Sequence, residues 1–188
     1  EIMDNENTFN KVSKWNKLIV KDGIFSYKER SRKICLPNFE FNMGDKISIV
    51  GESGQGKTTI LNVLSGIYQL NEGTIIIDDK KYVNPKLDVV YISQDVDLFD
   101  LSIRDNLTLG KNISDKKILE LFKDAGLMEW YNNLENGLDE LVGEKGVKLS
   151  AGQRQRLNII RGILIDKEVY FFDEPTSNLD KESEEKIV

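Results

Sequence analysis

Between Val50 and Thr59 the chain reads Gly51-Glu52-Ser53-Gly54-Gln55-Gly56-Lys57-Thr58. Glycines at 51, 54 and 56 let the backbone adopt positive φ angles and approach a bound group closely. Lys46-Ile47-Ser48-Ile49-Val50 lies before the run and predicts a strand. Ile60, Leu61 and Leu64 lie after it and predict one face of a helix starting at Lys57. A strand that turns through glycines into a helix aims backbone N–H groups and the helix's positive end at one point, which is an anion site. The full pattern is that of a phosphate loop. Gly51, Ser53, Gly54, Gln55 and Gly56 form the cradle, with Thr59 counted among the binding residues. Lys57 supplies a charge for the β and γ phosphates, and Thr58 a hydroxyl for Mg²⁺. A plain glycine turn between strand and helix is the competing interpretation.

Composition removes several other chemistries. The net charge of −6 argues against a nucleic-acid-binding face, which needs a basic stripe. With no histidine and one cysteine, His-based catalysis, His-ligated zinc, Cys-rich metal sites and internal disulfides are excluded. Cys35 is expected to be a small core residue. No stretch approaches the ~18 apolar residues of a membrane span, and the acidic, polar start is not a signal peptide. The first residue is Glu1 and the last ones, Lys186-Ile187-Val188, read as an unfinished helix, so a piece of a longer polypeptide is expected.

Residues 1–17 are polar and read as a linker, with Trp15 docking on the domain. Leu18–Val20, Gly23–Tyr27 and Phe39–Phe41 read as short strands, as do Thr74–Ile77 and Val89–Ile92. Ser114 is a good N-cap for a helix carrying Ile118, Leu121, Phe122 and Ala125, which Gly126 stops. Another helix is expected from Ser150, followed by a buried strand Val169–Phe172. The order predicts an α/β core sheet with a β-rich lobe early and a helical lobe, about 95–150, in the middle.

The Val169–Phe172 strand ends in Asp173-Glu174. Asp173 is placed to hold Mg²⁺ and Glu174 to polarise an attacking water. Taken alone, the pair is a weak signal, since Asp and Glu after a strand often merely begin a loop. Downstream of a phosphate loop it is the expected partner.

Leu149-Ser150-Ala151-Gly152-Gln153, followed by Arg154-Gln155-Arg156-Leu157, closely resembles the signature of ATP-binding cassette (ABC) proteins, and the resemblance runs from about Leu18 to Ile187. Ser150 and Gln153 also have the spacing of a capping box, so an ordinary capped helix is the bland alternative. The resemblance implies a P-loop ATPase fold that dimerises around two Mg-ATP, with Ser150, Gly152 and Gln153 facing the γ-phosphate on the other subunit. By resemblance Tyr27 stacks on adenine, and Gln94 reaches Mg²⁺ and the attacking water. Ser177-Asn178-Leu179-Asp180 is similar to the loop that crosses the dimer interface, anchored by Asp180. Glu174 acts with Lys57 and Gln94 in catalysis, and Thr58, Gln94 and Asp173 organise the metal.

Gln94-Asp95-Val96-Asp97-Leu98-Phe99, Ser102–Leu107 and the Glu144 loop are similar to exporter patterns. That branch implies a transmembrane domain, about six spans preceding residue 1 in the same polypeptide, and a place on the cytoplasmic face of the inner membrane. Ala151 departs from the family's glycine. Pro175 keeps an importer-type cassette open, and a regulatory, translation or repair cassette is the other rival. The family's switch histidine and last core strands are not in the chain, so weak or no hydrolysis is expected of it alone.

Overall fold

A computed structural model describes residues 10–12, 14–27, 33–52, 54–82 and 85–174. The chain divides into two compact units, residues 1–89 and 90–188.

The first unit is built on β2 (Lys17–Ser26), which pairs antiparallel with β3 (Lys33–Cys35), β4 (Phe39–Asn42) and β5 (Glu72–Ile77); β5 in turn pairs with β6 (Lys80–Tyr82). Leu18 lies opposite Ile77 and Val20 opposite Ile75, and all four are buried on one face. The two strands expected at Leu18–Val20 and Gly23–Tyr27 are one. The register shifts between Lys21 and Ile24, where Asp22 takes a left-handed φ of 53°, so a bulge replaces the turn. Gly73 closes on this bulge. A Cβ there would lie 2.5 Å from the Asp22 carbonyl oxygen, so only glycine fits.

β5 and β6 are joined by Asp78-Asp79, both at positive φ (46° and 66°), as a tight two-residue hairpin requires. The Asp78 carboxylate accepts the backbone N–H of Asn16 and of Lys17, each at 2.9 Å, and so pins the start of β2. Trp15 does dock: it is buried and meets the Phe41 ring edge-on. The fold reaches back further into the stretch expected as a linker. β1 (Asn10–Val12) pairs parallel with β7 (Pro85–Leu87). Cys35 is exposed rather than in the core, because β3 alternates and turns Ile34, not Cys35, to the more buried side.

Lys46–Val50 is not a strand. No described residue pairs with it, and its apolar side chains are exposed, Val50 to 88 %. The β-branched composition was sound, but a strand needs a ladder partner to satisfy its backbone. The helix after the glycine run is present as α1 (Lys57–Leu64), burying Thr59, Ile60, Val63 and Leu64.

The helical part of the second unit holds α2 (Ile103–Thr108), α3 (Asp115–Asp124), α4 (Met128–Asn132) and α5 (Ala151–Ile165). Ile103, Leu107, Ile118, Phe122, Leu157 and Ile160 are the centre of one apolar cluster. Ser102, Ser114 and Ser150 cap α2, α3 and α5 through their hydroxyls. β8 (Val89–Ile92) pairs with β9 (Val169–Phe172), and Ile159 of α5 packs on Val90 and Ile92. Gly162 makes that approach close: a Cβ would stand 2.8 Å from Ile92. β9 is less buried than expected. Only Phe171 is fully inside, since β8 is its one ladder partner among the described residues.

Candidate functional site

In the first unit the loop before α1 has the backbone its glycines permit. Gly54 and Gly56 sit at φ 79° and 97°. Gly56 is the N-cap of α1, and no side chain caps the helix. A Cβ on Gly56 would meet Ile34 at 3.0 Å as well as straining the backbone. The Lys57 ammonium turns back over the loop and donates to the carbonyl oxygens of Gly51 (2.9 Å) and Glu52 (3.1 Å). A cation is thus held at the mouth of a loop whose helix presents its positive end, an arrangement suited to an anion. Gln55 is exposed and its N–H reaches the Glu52 carbonyl. Thr58 is exposed beside Lys57. Thr59 is buried instead, and its hydroxyl is 3.0 Å from that of Tyr27. Ser53 lies outside the described residues.

Tyr27 stands perpendicular to two neighbours, Phe25 and Tyr68, whose own rings are stacked 4.9 Å apart. Burial, and then Tyr27 beside it, hold the Tyr68 phenol above its ordinary pKa.

In the second unit β8 and β9 bring their ends together. The Asp173 N–H donates to the Ile92 carbonyl at 2.9 Å, and the Tyr91 hydroxyl donates to the Asp173 carboxylate at 3.0 Å. Gln94 follows two residues beyond Ile92 and is exposed. Glu174 is exposed at a left-handed φ of 50°. The turn into Gln94 is braced by the Ser93 hydroxyl, which donates to the Asp95 carbonyl.

The capping box of α5 is complete. Ser150 Oγ accepts the Gln153 N–H at 3.1 Å, and Gln153 Oε1 accepts the Ser150 N–H at 2.9 Å. Ser150 and Ala151 are exposed and Gly152 is half-buried. Arg154 and Arg156 position this end and Arg161 anchors α5 further along; residue patterns alone did not single them out. Arg154 donates to the carbonyls of Leu149 and Gly146. Arg156 donates to those of Gly152, Ala125 and Gly126, joining α5 to the end of α3. Arg161 donates to the Asp97 carbonyl and to Asn158, tying α5 to the loop after Gln94. Burial pulls the Arg161 pKa down, with Asp97 opposing. Asn106, fully buried, exchanges two hydrogen bonds with Phe99 and also holds the Ser102 carbonyl, so it fixes the turn between them. Asp180 lies outside the described residues, as do Ser177, Asn178 and Pro175.

The candidate metal donors are a hydroxyl, an amide and a carboxylate, Thr58, Gln94 and Asp173. Oxygen donors of this kind suit Mg²⁺, which needs few protein ligands. Among the described residues no group of three or more His, Cys, Asp or Glu forms a metal cluster, and no helix is long and apolar enough to cross a membrane.

The profile of the ABC transporter family matches residues 36–177. The chain belongs to that family, as an exporter-like nucleotide-binding domain with an ABC ATPase fold. It is 37 % identical over 178 residues to an ATP-dependent lipid A-core flippase of Idiomarina loihiensis, covering 90 % of this chain and 31 % of that protein. A protein of the same name from Pasteurella multocida is 38 % identical over 179 residues, with the same coverage. The structure of a bacterial Atm1-family ABC exporter with ATP bound aligns with a TM-score of 0.84 at 31 % identity, over 100 % of this chain and 34 % of that one. The chain therefore spans about a third of the length of these relatives.

Proposed function

We propose that this domain is the ATP-hydrolysing motor of an exporter, closing as a dimer around two Mg-ATP and driving a transmembrane domain of the same polypeptide at the cytoplasmic face of the inner membrane. The observation that carries the reading is the Gly56-started α1 with the Lys57 ammonium folded over the Gly51 and Glu52 carbonyls. A left-handed glycine, an uncapped helix start and a converging cation together suit an anion site.

Gly51, Ser53, Gly54, Gln55, Gly56 and Thr59 line the phosphates, and Lys57 neutralises them. Tyr27 stacks on the adenine. Ser150, Gly152 and Gln153 close on the nucleotide of the partner subunit, with Asp180 at the crossing loop. Glu174 takes the proton of the attacking water and Gln94 orients that water. Thr58, Gln94 and Asp173 would hold Mg²⁺, which when bound offsets phosphate charge as it develops. Residues 1–17 are assigned to the connection with the membrane domain, and residues 18–188 to the nucleotide-binding domain, with about 95–150 as its helical lobe. Phe99, Leu101 and Leu141 are exposed. The Ser102–Leu141 bridge and the Val142 N–H bond to the Leu101 carbonyl bring Leu101 and Leu141 together. They support this lobe, with Glu144, as the face that meets the membrane domain.

The test is Glu174→Gln in the intact protein. Turnover should fall roughly 10²–10⁴-fold, the usual contribution of a general base, while calorimetry still detects Mg-ATP uptake. Undiminished turnover removes Glu174 from the base role. Absence of Mg-ATP uptake by the unmodified protein removes the motor reading altogether.

A further inference from the structure

We infer that Tyr68 is a positioning residue for nucleotide recognition, holding the Tyr27 ring in register with the phosphate-binding helix. The inference rests on the reading that Tyr27 stacks on the adenine, and it adds the parts that fix where Tyr27 can stand.

Four groups of contacts build the device, all within the first unit. The stretch after α1 folds back on the helix, because the N–H groups of Ile67 and Tyr68 both donate to the Asn62 carbonyl, at 2.9 and 3.1 Å. The same stretch then clamps the end of β2. Asn71 donates its N–H to the Ile24 carbonyl at 2.8 Å, and its side-chain oxygen accepts the Ser26 N–H at 2.6 Å. Tyr68 lies between these two anchors. Its ring stacks on Phe25 at an interplanar angle of 13° and meets Tyr27 at 81°, with centroids 5.6 Å apart. Finally, the Tyr27 hydroxyl bonds Thr59 in the first turn of α1 at 3.0 Å. Tyr27 is thus tied to the start of α1 directly and to its end through Tyr68.

The geometry suits a ring held for stacking. Both of Tyr27's ring contacts are perpendicular, so the stacked arrangement is taken up by Phe25 and Tyr68 and not by Tyr27. Edge-to-face contacts of this kind are favourable and orientation-dependent. The consequence is that base and phosphate recognition share one helix. Loosening Tyr68 should weaken the part of binding that reads the base and leave the part that reads phosphates.

The experiment measures calorimetric Kd values of the intact protein for Mg-ATP and for inorganic Mg-tripolyphosphate, which has no base. Tyr68→Leu keeps apolar bulk and removes the ring. It should weaken ATP binding about 2- to 10-fold, the range of one lost aromatic pair, with tripolyphosphate unchanged. Tyr68→Phe should restore ATP affinity. Tyr27→Phe, which keeps the ring and removes the hydroxyl that bonds Thr59 and lies beside the Tyr68 phenol, should also lose ATP affinity selectively, by a few-fold. Unchanged ATP affinity in Tyr68→Leu, or equal losses for both ligands, overturns the inference. Tyr27→Ala separates the two claims. If it lowers the preference for ATP over tripolyphosphate while Tyr68→Leu does not, Tyr68 alone is misassigned. If it leaves that preference intact, the adenine reading falls and the inference with it. Should Tyr68→Leu fail to fold, Tyr27→Phe decides: no selective loss there refutes the coupling to α1.

Discussion

The α1 helix starts on a glycine and the α5 helix starts on a serine in a closed capping box. Gly56 offers no side chain to the first turn of α1, and the loop around it is gathered by Lys57. Ser150 and Gln153 satisfy one another at the start of α5, and Arg154 and Arg156 hold that end onto the surrounding loops. In the second unit Ser102, Ser114 and Ser150 each cap a helix, and the short α4, which follows Leu127, has no side-chain cap; α1, the α-helix of the first unit among the described residues, has none either. A helix whose start is satisfied by its own side chains is stable without a ligand. A helix that starts on glycine has no side-chain cap and can direct its first N–H groups at a ligand. One end is therefore built to receive an anion, and the other to be presented as a rigid, preformed surface.

The contrast can be broken most forcefully at Lys57. Lys57→Ala should weaken Mg-ATP binding by about 10- to 150-fold, the worth of a charge-assisted hydrogen bond, as read by calorimetry. A loss below two-fold would mean that the bare helix start binds without its cation. Gly56→Ala comes next. The φ of 97° and the 3.0 Å approach of Ile34 should cost the fold roughly 1–3 kcal/mol in denaturant unfolding. Should stability be unchanged, the left-handed start of α1 is not needed. At α5 the effect is smaller. Ser150→Ala should lower stability by about 1 kcal/mol, and Ser150→Gly by only a few tenths. Equal losses would show that the box is not closed in solution.

The weakest test concerns α3, where Asp115 in the first turn joins Arg104, which also holds Asp139 at 2.8 Å. The Arg104 hydrogen bonds keep the Asp115 carboxyl below its ordinary pKa. A depressed carboxylate pKa adds stability above the unfolded value of about 3.9, and this is lost as the pH falls through the folded pKa. Asp115→Asn should therefore narrow the stability gap between neutral and acid pH. An unchanged acid limb in thermal melts would remove Asp115 from the account.

Much of this could be read along the chain because its causes are local. A serine three residues before a glutamine, a glycine at a helix start and an apolar face at helical spacing all act within one or two turns. That is why Ser150, Gly56 and the α3 face around Ile118 and Phe122 were found where expected. The role of Asn106 was not readable in this way. Its partners, Phe99 and Ser102, are close in sequence, but only the turn between them decides that an amide is buried there. The arginines of α5 were opaque for another reason. Arg156 reaches back to Ala125 and Gly126, and Arg161 to Asp97, across separations no residue pattern encodes.

The sequence by itself determined the phosphate loop, the capping box and the order of the two lobes, because side-chain volume, φ preference and short-range hydrogen bonds suffice for these. Tertiary structure decided the rest. It joined two expected strands into β2 across a bulge that Gly73 closes. It left the β-branched run at Lys46–Val50 without a ladder. It set Tyr68 between the end of α1 and the ring of Tyr27. Strand pairing and ring contacts need partners that arrive from elsewhere in the chain, and no single segment carries both halves.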